Sequence, residues 1–115
     1  MSKSYKNMSF RVSGNIFKNL KIKLIKNERT FQNLIENILI EYLDSNLNIR
    51  EINGYKNPID KKLLEKTLTF RIDEKAYKEI KLKLIRKETS FQEEIEKFIL
   101  AYLDDNLFLR DGGRI

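Results

Sequence analysis

Two short stretches of the chain alternate apolar and polar side chains and then reach a residue that favours the start of a helix. They read MSFRVS, Met8–Ser13, and LTFRID, Leu68–Asp73. Because neighbouring side chains of a strand point to opposite faces, each stretch predicts a short strand with one apolar and one polar face. Ser13 and Asp73 can accept hydrogen bonds from the first free amides of a helix, so both strands are expected to lead directly into a capped helix.

An apolar stripe with helical spacing follows each predicted strand. The first helices are expected at about residues 15–27 and 75–87. Ile22 and Leu82 fall outside the stripes, which consist of Phe17, Leu20, Leu24 and Ile25 in the first helix and Tyr77, Ile80, Leu84 and Ile85 in the second.

A second capped helix is expected in each half of the chain. Thr30 and Ser90 are its N-caps, and SFQE, Ser90–Glu93, matches a capping box. The helices close at LDSN and LDDN. Their apolar stripes are Phe31, Leu34, Ile35, Ile38, Leu39, Tyr42 and Leu43, matched by Phe91, Ile95, Phe98, Ile99, Tyr102 and Leu103.

All these elements belong to one repeat that occurs twice. Residues 8–50 and 68–110 are identical at about 18 of 43 paired positions, so both copies are expected to fold alike. One copy is too small for a core of its own, and its single strand would lack hydrogen-bond partners. We therefore expect a mainly α fold in which the two strands form an antiparallel β-ribbon, with four helices over the apolar face of Met8, Phe10, Val12, Leu68, Phe70 and Ile72.

The repeats define the expected organisation of the chain. The first repeat covers residues 8–46, a linker covers 47–67, and the second repeat covers 68–110. Within the linker, NPID places a cap at Asn57 and Pro58 at the first helical position, which predicts a short helix through about Glu65.

Composition narrows the chemistry available to the chain. Its 115 residues include no Cys and no His, so thiolate metal sites and the commonest general base are missing, and we expect no enzyme, metal or cofactor. No apolar run is long enough to span a membrane, and the N-terminus lacks a signal-peptide core, so a cytoplasmic protein without membrane association is expected.

The charge of the chain favours an acidic partner. The formal charge is +6, of which residues 1–7 carry about +2, residues 8–50 about +3, and residues 68–110 about zero. Such a basic chain suits nucleic acid, although many ordinary proteins are equally basic.

The order of strand, capped helix, turn and capped helix resembles the ribbon-helix-helix DNA-binding proteins, the superfamily of the Arc and MetJ repressors. The resemblance covers residues 8–46 and 68–106. Such proteins are usually homodimers, and two copies in one chain are similar to the TraY-type arrangement of plasmid conjugation systems. The resemblance therefore implies a tandem ribbon-helix-helix fold that forms an intramolecular pseudo-dimer. The family often has Gly in the turn between its helices, where this chain has ERT and ETS at residues 28–30 and 88–90.

The resemblance also implies a site and a partner. The polar face of the ribbon would enter the major groove of double-stranded, pseudo-palindromic DNA, and side-by-side self-association on the DNA is a further expectation. The base-contacting residues would be Ser9, Arg11, Thr69 and Arg71, with Asn7 and Thr67 as flanking contacts. Phosphates would bind at the starts of the second helices, at Thr30, Phe31, Gln32, Ser90, Phe91 and Gln92.

These implied roles have simpler alternatives. Ser, Thr and Arg are common on any solvated strand face, and Thr30 and Ser90 can be helix caps and nothing more. At the level of function, the leading expectation is a transcriptional repressor or a plasmid maintenance or transfer accessory factor. The alternative is an antitoxin-type protein-interaction module that binds a toxin partner through the linker or the C-terminus, where Leu107, Phe108 and Leu109 either dock a partner or pack onto the helices.

Overall fold

The computed structural model describes residues 4–49 and 66–115. Within them the chain forms four helices and four strands, and the helix expected at residues 57–65 lies outside the described residues. The elements in chain order are β1 (Tyr5–Val12), α1 (Gly14–Lys26), α2 (Phe31–Leu43), β2 (Leu47–Ile49), β3 (Lys66–Asp73), α3 (Glu74–Arg86), α4 (Phe91–Leu103) and β4 (Leu107–Leu109).

The two predicted strands pair with each other, as expected from the repeat. β1 and β3 are antiparallel, and Ser9 lies opposite Thr69. This register pairs equivalent positions of the repeats at its centre, so each strand meets its partner in the same way. Met8 is partly buried, and the other members of the predicted apolar face are buried: Phe10, Val12, Leu68, Phe70 and Ile72. Both strands begin earlier than the sequence indicated, at Tyr5 and Lys66.

The four predicted N-caps are confirmed. The side chains of Ser13, Thr30, Asp73 and Ser90 each accept a hydrogen bond from a backbone amide three residues later, at 3.1 to 3.2 Å. Within the described residues, the Glu93 carboxylate accepts a hydrogen bond from the Thr89 hydroxyl at 2.9 Å and not from the Ser90 amide, so only the Ser90 half of the expected capping box is present. Each helix therefore begins where the sequence predicted, within one residue.

The core is shared between the repeats. α1 packs on α4 and α2 packs on α3, so each helix pair joins the first repeat to the second. Residues of both repeats form one buried cluster, whose largest fully buried side chains are Val12, Leu20, Leu34, Ile35, Ile38, Ile80, Ile95 and Ile99. A single core of this kind explains why neither 43-residue copy needs a core of its own.

Two residues assigned to the apolar stripes are exposed to solvent. Ile25 is 77% exposed and Ile85 is 66% exposed, so the sequence prediction was wrong for both. Each follows a buried leucine and is rotated about 100° around the helix from it, beyond the edge that the neighbouring helix covers. Ile22 and Leu82 lie outside the stripes, as expected, and are 44% and 54% exposed.

A second small sheet was not anticipated from the sequence. β2 and β4 pair antiparallel, with Leu47 opposite Leu109 and Ile49 opposite Leu107. β2 lies in the segment interpreted as the start of the linker. Leu107 and Phe108 are buried, and Leu107 belongs to the core cluster, so packing against the core is observed for that residue.

Candidate nucleic-acid interface

The outward face of the β1–β3 sheet carries all six residues predicted to contact bases or flank them. Their side chains are exposed, and the register brings them together in directly opposed pairs. The three pairs are Asn7 with Arg71, Ser9 with Thr69, and Arg11 with Thr67. Because side chains of directly opposed residues project from the same side of a sheet, the six form one continuous polar surface.

The two arginines lie symmetrically about the centre of this surface. Arg11 is two residues beyond Ser9 on β1, and Arg71 is two residues beyond Thr69 on β3, in the opposite direction. Their Cα atoms are therefore separated by about 14 Å along the strands. Arg71 lies 5.3 Å from the ring centroid of Tyr5, and neither guanidinium forms an ion pair with any residue in 4–49 or 66–115.

A depression of about 600 Å³ opens on one half of this surface. Its polar lining comes from Asn7, Ser9, Thr69 and Arg71, together with Gln32 at the start of α2. The depression therefore brings a helix start and the polar face of the sheet into one continuous concavity. Hydrogen-bond donors and acceptors converge there, and such an arrangement can bind the polar edge of a ligand.

Two glutamines bind the outer edges of the sheet. The Gln92 side chain accepts from the Arg11 amide at 3.1 Å and donates to the Arg11 carbonyl oxygen at 2.8 Å. Gln32 makes the same pair of hydrogen bonds with the Arg71 backbone, both at 2.8 Å. Each side-chain amide thus replaces a neighbouring strand and fixes an arginine backbone to a helix of the other repeat.

This role of the glutamines was missed by sequence reasoning. Gln32 and Gln92 were predicted only as phosphate-binding positions at helix starts. The repetition of Gln at the same position in both copies was the available signal, but the strand edges that they bind become apparent only in the folded chain. A buried or paired side-chain amide can satisfy one backbone donor and one acceptor together, which suits an exposed sheet edge.

The predicted phosphate-binding positions lie beside the sheet. Thr30 and Ser90 are exposed. Each cap accepts a hydrogen bond from the amide three residues later, so the amides of the two residues in between are not bound by the cap. The rings of Phe31 and Phe91 turn inward, with centroids 6.2 Å from Phe10 and 6.0 Å from Phe70, respectively. Only the backbone of these two phenylalanines is therefore available to a phosphate.

Lysines increase the positive charge at both ends of the sheet. Lys6 lies 4.2 Å from the ring centroid of Tyr77, and Lys66 lies 5.8 Å from that of Phe17. Desolvation acts to raise the pKa of the Tyr77 hydroxyl, but Lys81 and Lys6 outweigh it and lower that pKa from its ordinary value. α1 has no acidic residue in its first turn and ends with Lys23 and Lys26 in its last.

Comparisons of the chain with protein-family models, with curated proteins and with solved structures found no match. Across residues 4–49 and 66–115, no cluster of three or more His, Cys, Asp or Glu side chains is arranged to hold a metal ion. Over the same residues, every helix is too short or too polar to cross a lipid bilayer. The assignment of the interface accordingly depends on the geometry of the β1–β3 face.

Proposed function

We propose that the chain is a sequence-specific double-stranded DNA-binding protein with a tandem ribbon-helix-helix fold, in which the β1–β3 sheet enters the major groove. The observation that carries this proposal is the pair of exposed arginines, symmetric about Ser9 and Thr69 and fixed by glutamines of the opposite repeat. A two-stranded ribbon fits the major groove, where arginine can bind guanine O6 and N7 together.

The spacing of the arginines matches the spacing of bases. About 14 Å along the ribbon corresponds to about four base-pair steps of B-DNA. Because equivalent residues of the two repeats lie in equivalent positions, the chain acts as an intramolecular pseudo-dimer and recognises a pseudo-palindromic site. The two halves of that site differ, since Ser9 in one strand has Thr69 as its counterpart in the other.

The starts of α2 and α4 supply the contacts to the DNA backbone. Gln32 and Gln92 attach these helix starts to the edges of the ribbon. The amides after Thr30 and Ser90 and the positive end of each helix dipole suit a phosphate oxygen on either side of the groove. These contacts set the position of the ribbon, and the arginines and hydroxyls provide the sequence preference.

The proposal covers a transcriptional repressor and a plasmid maintenance or transfer factor, which share this chemistry. We do not extend it to the antitoxin-type module. The C-terminal residues considered for toxin docking include Leu107 and Phe108, which are only 3% and 7% exposed.

Selection of binding sites from a random pool of duplex DNA tests the proposal. We expect one enriched, approximately symmetric sequence, bound saturably and with a steep dependence on salt. Arg11→Ala and Arg71→Ala should each weaken binding by about 1 to 3 kcal/mol and relax the preference at one base position in opposite halves of the site.

Arg86→Ala is the matched control, since Arg86 is an exposed arginine at the far end of α3 from the sheet. It removes the same charge but should leave the base preference intact. An equal loss of affinity in all three variants, with no change in sequence preference, would mean that charge alone drives binding and would overturn the proposal of specific readout.

A further inference from the structure

A cationic cavity lies at the opposite end of α2 from the DNA-binding face. Its volume is about 380 Å³, and it is bounded by the end of α2, the end of α3, α4 and the β2–β4 sheet. Four cationic side chains line it, together with two hydroxyl-bearing residues: Lys83, Lys87, Lys97, Arg110, Tyr42 and Ser45. The cations come from separate parts of the second repeat, and only the fold brings them together.

Tyr42 lines this cavity, and its hydroxyl is buried among the neighbouring side chains. Tyr42 is 4% exposed, and its hydroxyl has no hydrogen-bond partner in the part of the chain that the structure describes. Burial, with a smaller contribution from Glu94, raises the pKa of Tyr42 to about 12, so the hydroxyl keeps its proton at neutral pH. A buried polar group without a partner is costly to the fold.

Lys83 forms the centre of the cationic cluster. Its ammonium group donates to the Tyr42 carbonyl oxygen and to the Ser45 hydroxyl, the latter at 2.8 Å, which leaves one of its three N–H donors for a ligand. Burial, Lys87 and Arg110 lower the pKa of Lys83, and the effect of these causes exceeds the opposing effect of two nearby acids.

Those acids neutralise the cluster only in part. Asp44 and Glu94 oppose the lowering of the Lys83 pKa, and neither lines the cavity. Glu94 also pairs with Lys97 at 3.3 Å. Four cationic groups thus face two carboxylates, and the excess positive charge surrounds a polar, partly enclosed volume that is large enough for a small molecule.

The equivalent region of the molecule, at the ends of α1 and α4, carries less excess positive charge. There Lys23 pairs with Asp105 at 2.6 Å, whereas the counterpart of Asp105 beside Lys83 is Ser45, which offers an uncharged hydroxyl. The Tyr102 hydroxyl accepts from Asn27 at 2.8 Å, and Asn27 is the counterpart of Lys87. The counterpart of Lys97 is Asn37. The counterpart of Arg110 is Arg50, which lies outside the described residues. The fold is therefore compatible with a less cationic version of this region, and it does not itself require Lys87 and Lys97.

We propose that this cavity binds a small phosphorylated molecule, with its phosphoryl group among Lys83, Lys87 and Arg110. A phosphoryl group presents three strong acceptor oxygens and close to two negative charges, which matches several converging donors better than a single carboxylate does. The apolar lining from Leu47, Ile49 and Phe98 accommodates the rest of the molecule.

The position of the cavity favours a free molecule over the DNA backbone as the source of the phosphoryl group. α2 has 13 residues and is therefore about 20 Å long. Gln32 at its start contacts β3, whereas Tyr42 and Ser45 lie at its end. The cavity is thus remote from the β1–β3 face, and binding there does not depend on whether the protein recognises DNA.

Calorimetric titration of the full chain with inorganic pyrophosphate, at fixed ionic strength, tests the proposal. We expect saturable binding of one pyrophosphate per chain. The double variant Lys87→Asn/Lys97→Asn introduces the residues that the other repeat carries at these positions, and it should weaken binding by about tenfold or more. The charge-matched control is Lys75→Asn/Lys78→Asn, which changes two exposed lysines of α3 and should bind within about twofold of the parent.

One single variant completes the test. Ser45→Asp copies the acid of the other repeat and should weaken pyrophosphate binding even if the double variant fails to fold. Absence of saturable binding, or equal loss in the cavity variant and its control, would overturn the proposal. A selective loss of duplex DNA affinity in the cavity variant would also overturn it, because the cations would then serve the DNA backbone.

Discussion

At the scale of single residues, Tyr42 and Tyr102 form an internal comparison. They occupy equivalent positions and are each 4% exposed, but Asn27 donates a hydrogen bond to the hydroxyl of Tyr102 alone within the described residues. We expect Tyr102→Phe to lower the free energy of unfolding by about 0.5 to 1.5 kcal/mol. Tyr42→Phe should leave it unchanged or raise it by about 1 kcal/mol, because it removes an unpaired buried hydroxyl. Urea unfolding of both variants measures the difference, and equal losses would contradict it.

The raised pKa of Tyr42 predicts a dependence of stability on alkaline pH. Its pKa is about 12 in the folded chain and near 10 when unfolded, so the folded state binds the proton more tightly. The resulting stabilisation is complete below pH 10 and is lost as the pH rises through about 12. Between about pH 9 and pH 12, the parent should lose roughly 2 kcal/mol more than Tyr42→Phe. Lysines and the other tyrosines titrate in both proteins, so parallel curves would contradict the assignment.

The residues of the candidate interface differ in how far the sequence could predict them. The positions of Ser9, Arg11, Thr69 and Arg71 followed from strand alternation, because one buried face determines the other. The glutamine contacts could not be foreseen, since Gln32 and Gln92 act on strands 39 and 81 residues away in sequence. Local patterns contain no information about which exposed edge such a side chain will meet.

At the scale of elements, the turns between paired helices show how this chain accommodates Glu where ribbon-helix-helix proteins often have Gly. Glu28 and Glu88 have φ values of 52° and 54°, in the left-handed region that glycine favours. Each donates its amide to the carbonyl oxygen three residues earlier and completes a Schellman-type helix end. Each turn therefore has the backbone geometry that glycine adopts readily, but a glutamate occupies the position and its backbone is strained.

Replacement of these glutamates by glycine should relieve that strain. We expect Glu28→Gly and Glu88→Gly each to raise the free energy of unfolding by about 0.5 to 1 kcal/mol. Glu79→Gly is the matched control, because the same substitution inside α3 should lower stability by about 1 kcal/mol. Thermal and urea unfolding give both values. A loss of stability at all three positions would show that the glutamate side chains matter more than their backbone conformation.

Elements with several turns or several alternations were predictable, and the shortest ones were not. β1, β3 and the four helices are long enough to show their periods and carry caps at their starts. β2 and β4 have three residues each, which is too few to distinguish strand alternation from a loop. The exposed Ile25 and Ile85 show a related limit, because the width of an apolar stripe depends on how much of it a neighbouring helix covers.

At the scale of the whole molecule, the repeats share a framework but differ in charge. The paired strands, the glutamine contacts and the lysines that reach the opposite helix ends recur in both halves. The cationic cavity forms from the second repeat and the end of α2, whereas the ion pair of Lys23 with Asp105 occupies the equivalent region. One face of the molecule is therefore nearly symmetric, and the opposite end is not.

The shared core makes a further prediction about folding. Ile35 is completely buried in a cluster to which both repeats contribute, so Ile35→Ala should lower the free energy of unfolding by about 2 to 5 kcal/mol. If the repeats unfold as one unit, the slowest-exchanging amides of α3 and α4 should lose as much protection as those of α2. Hydrogen exchange measures this, with Ile40→Ala as the control because Ile40 is 56% exposed on the same helix. Unchanged protection in the second repeat would mean that the two copies fold independently. The fold would then not hold the two arginines of the ribbon at a fixed relative position.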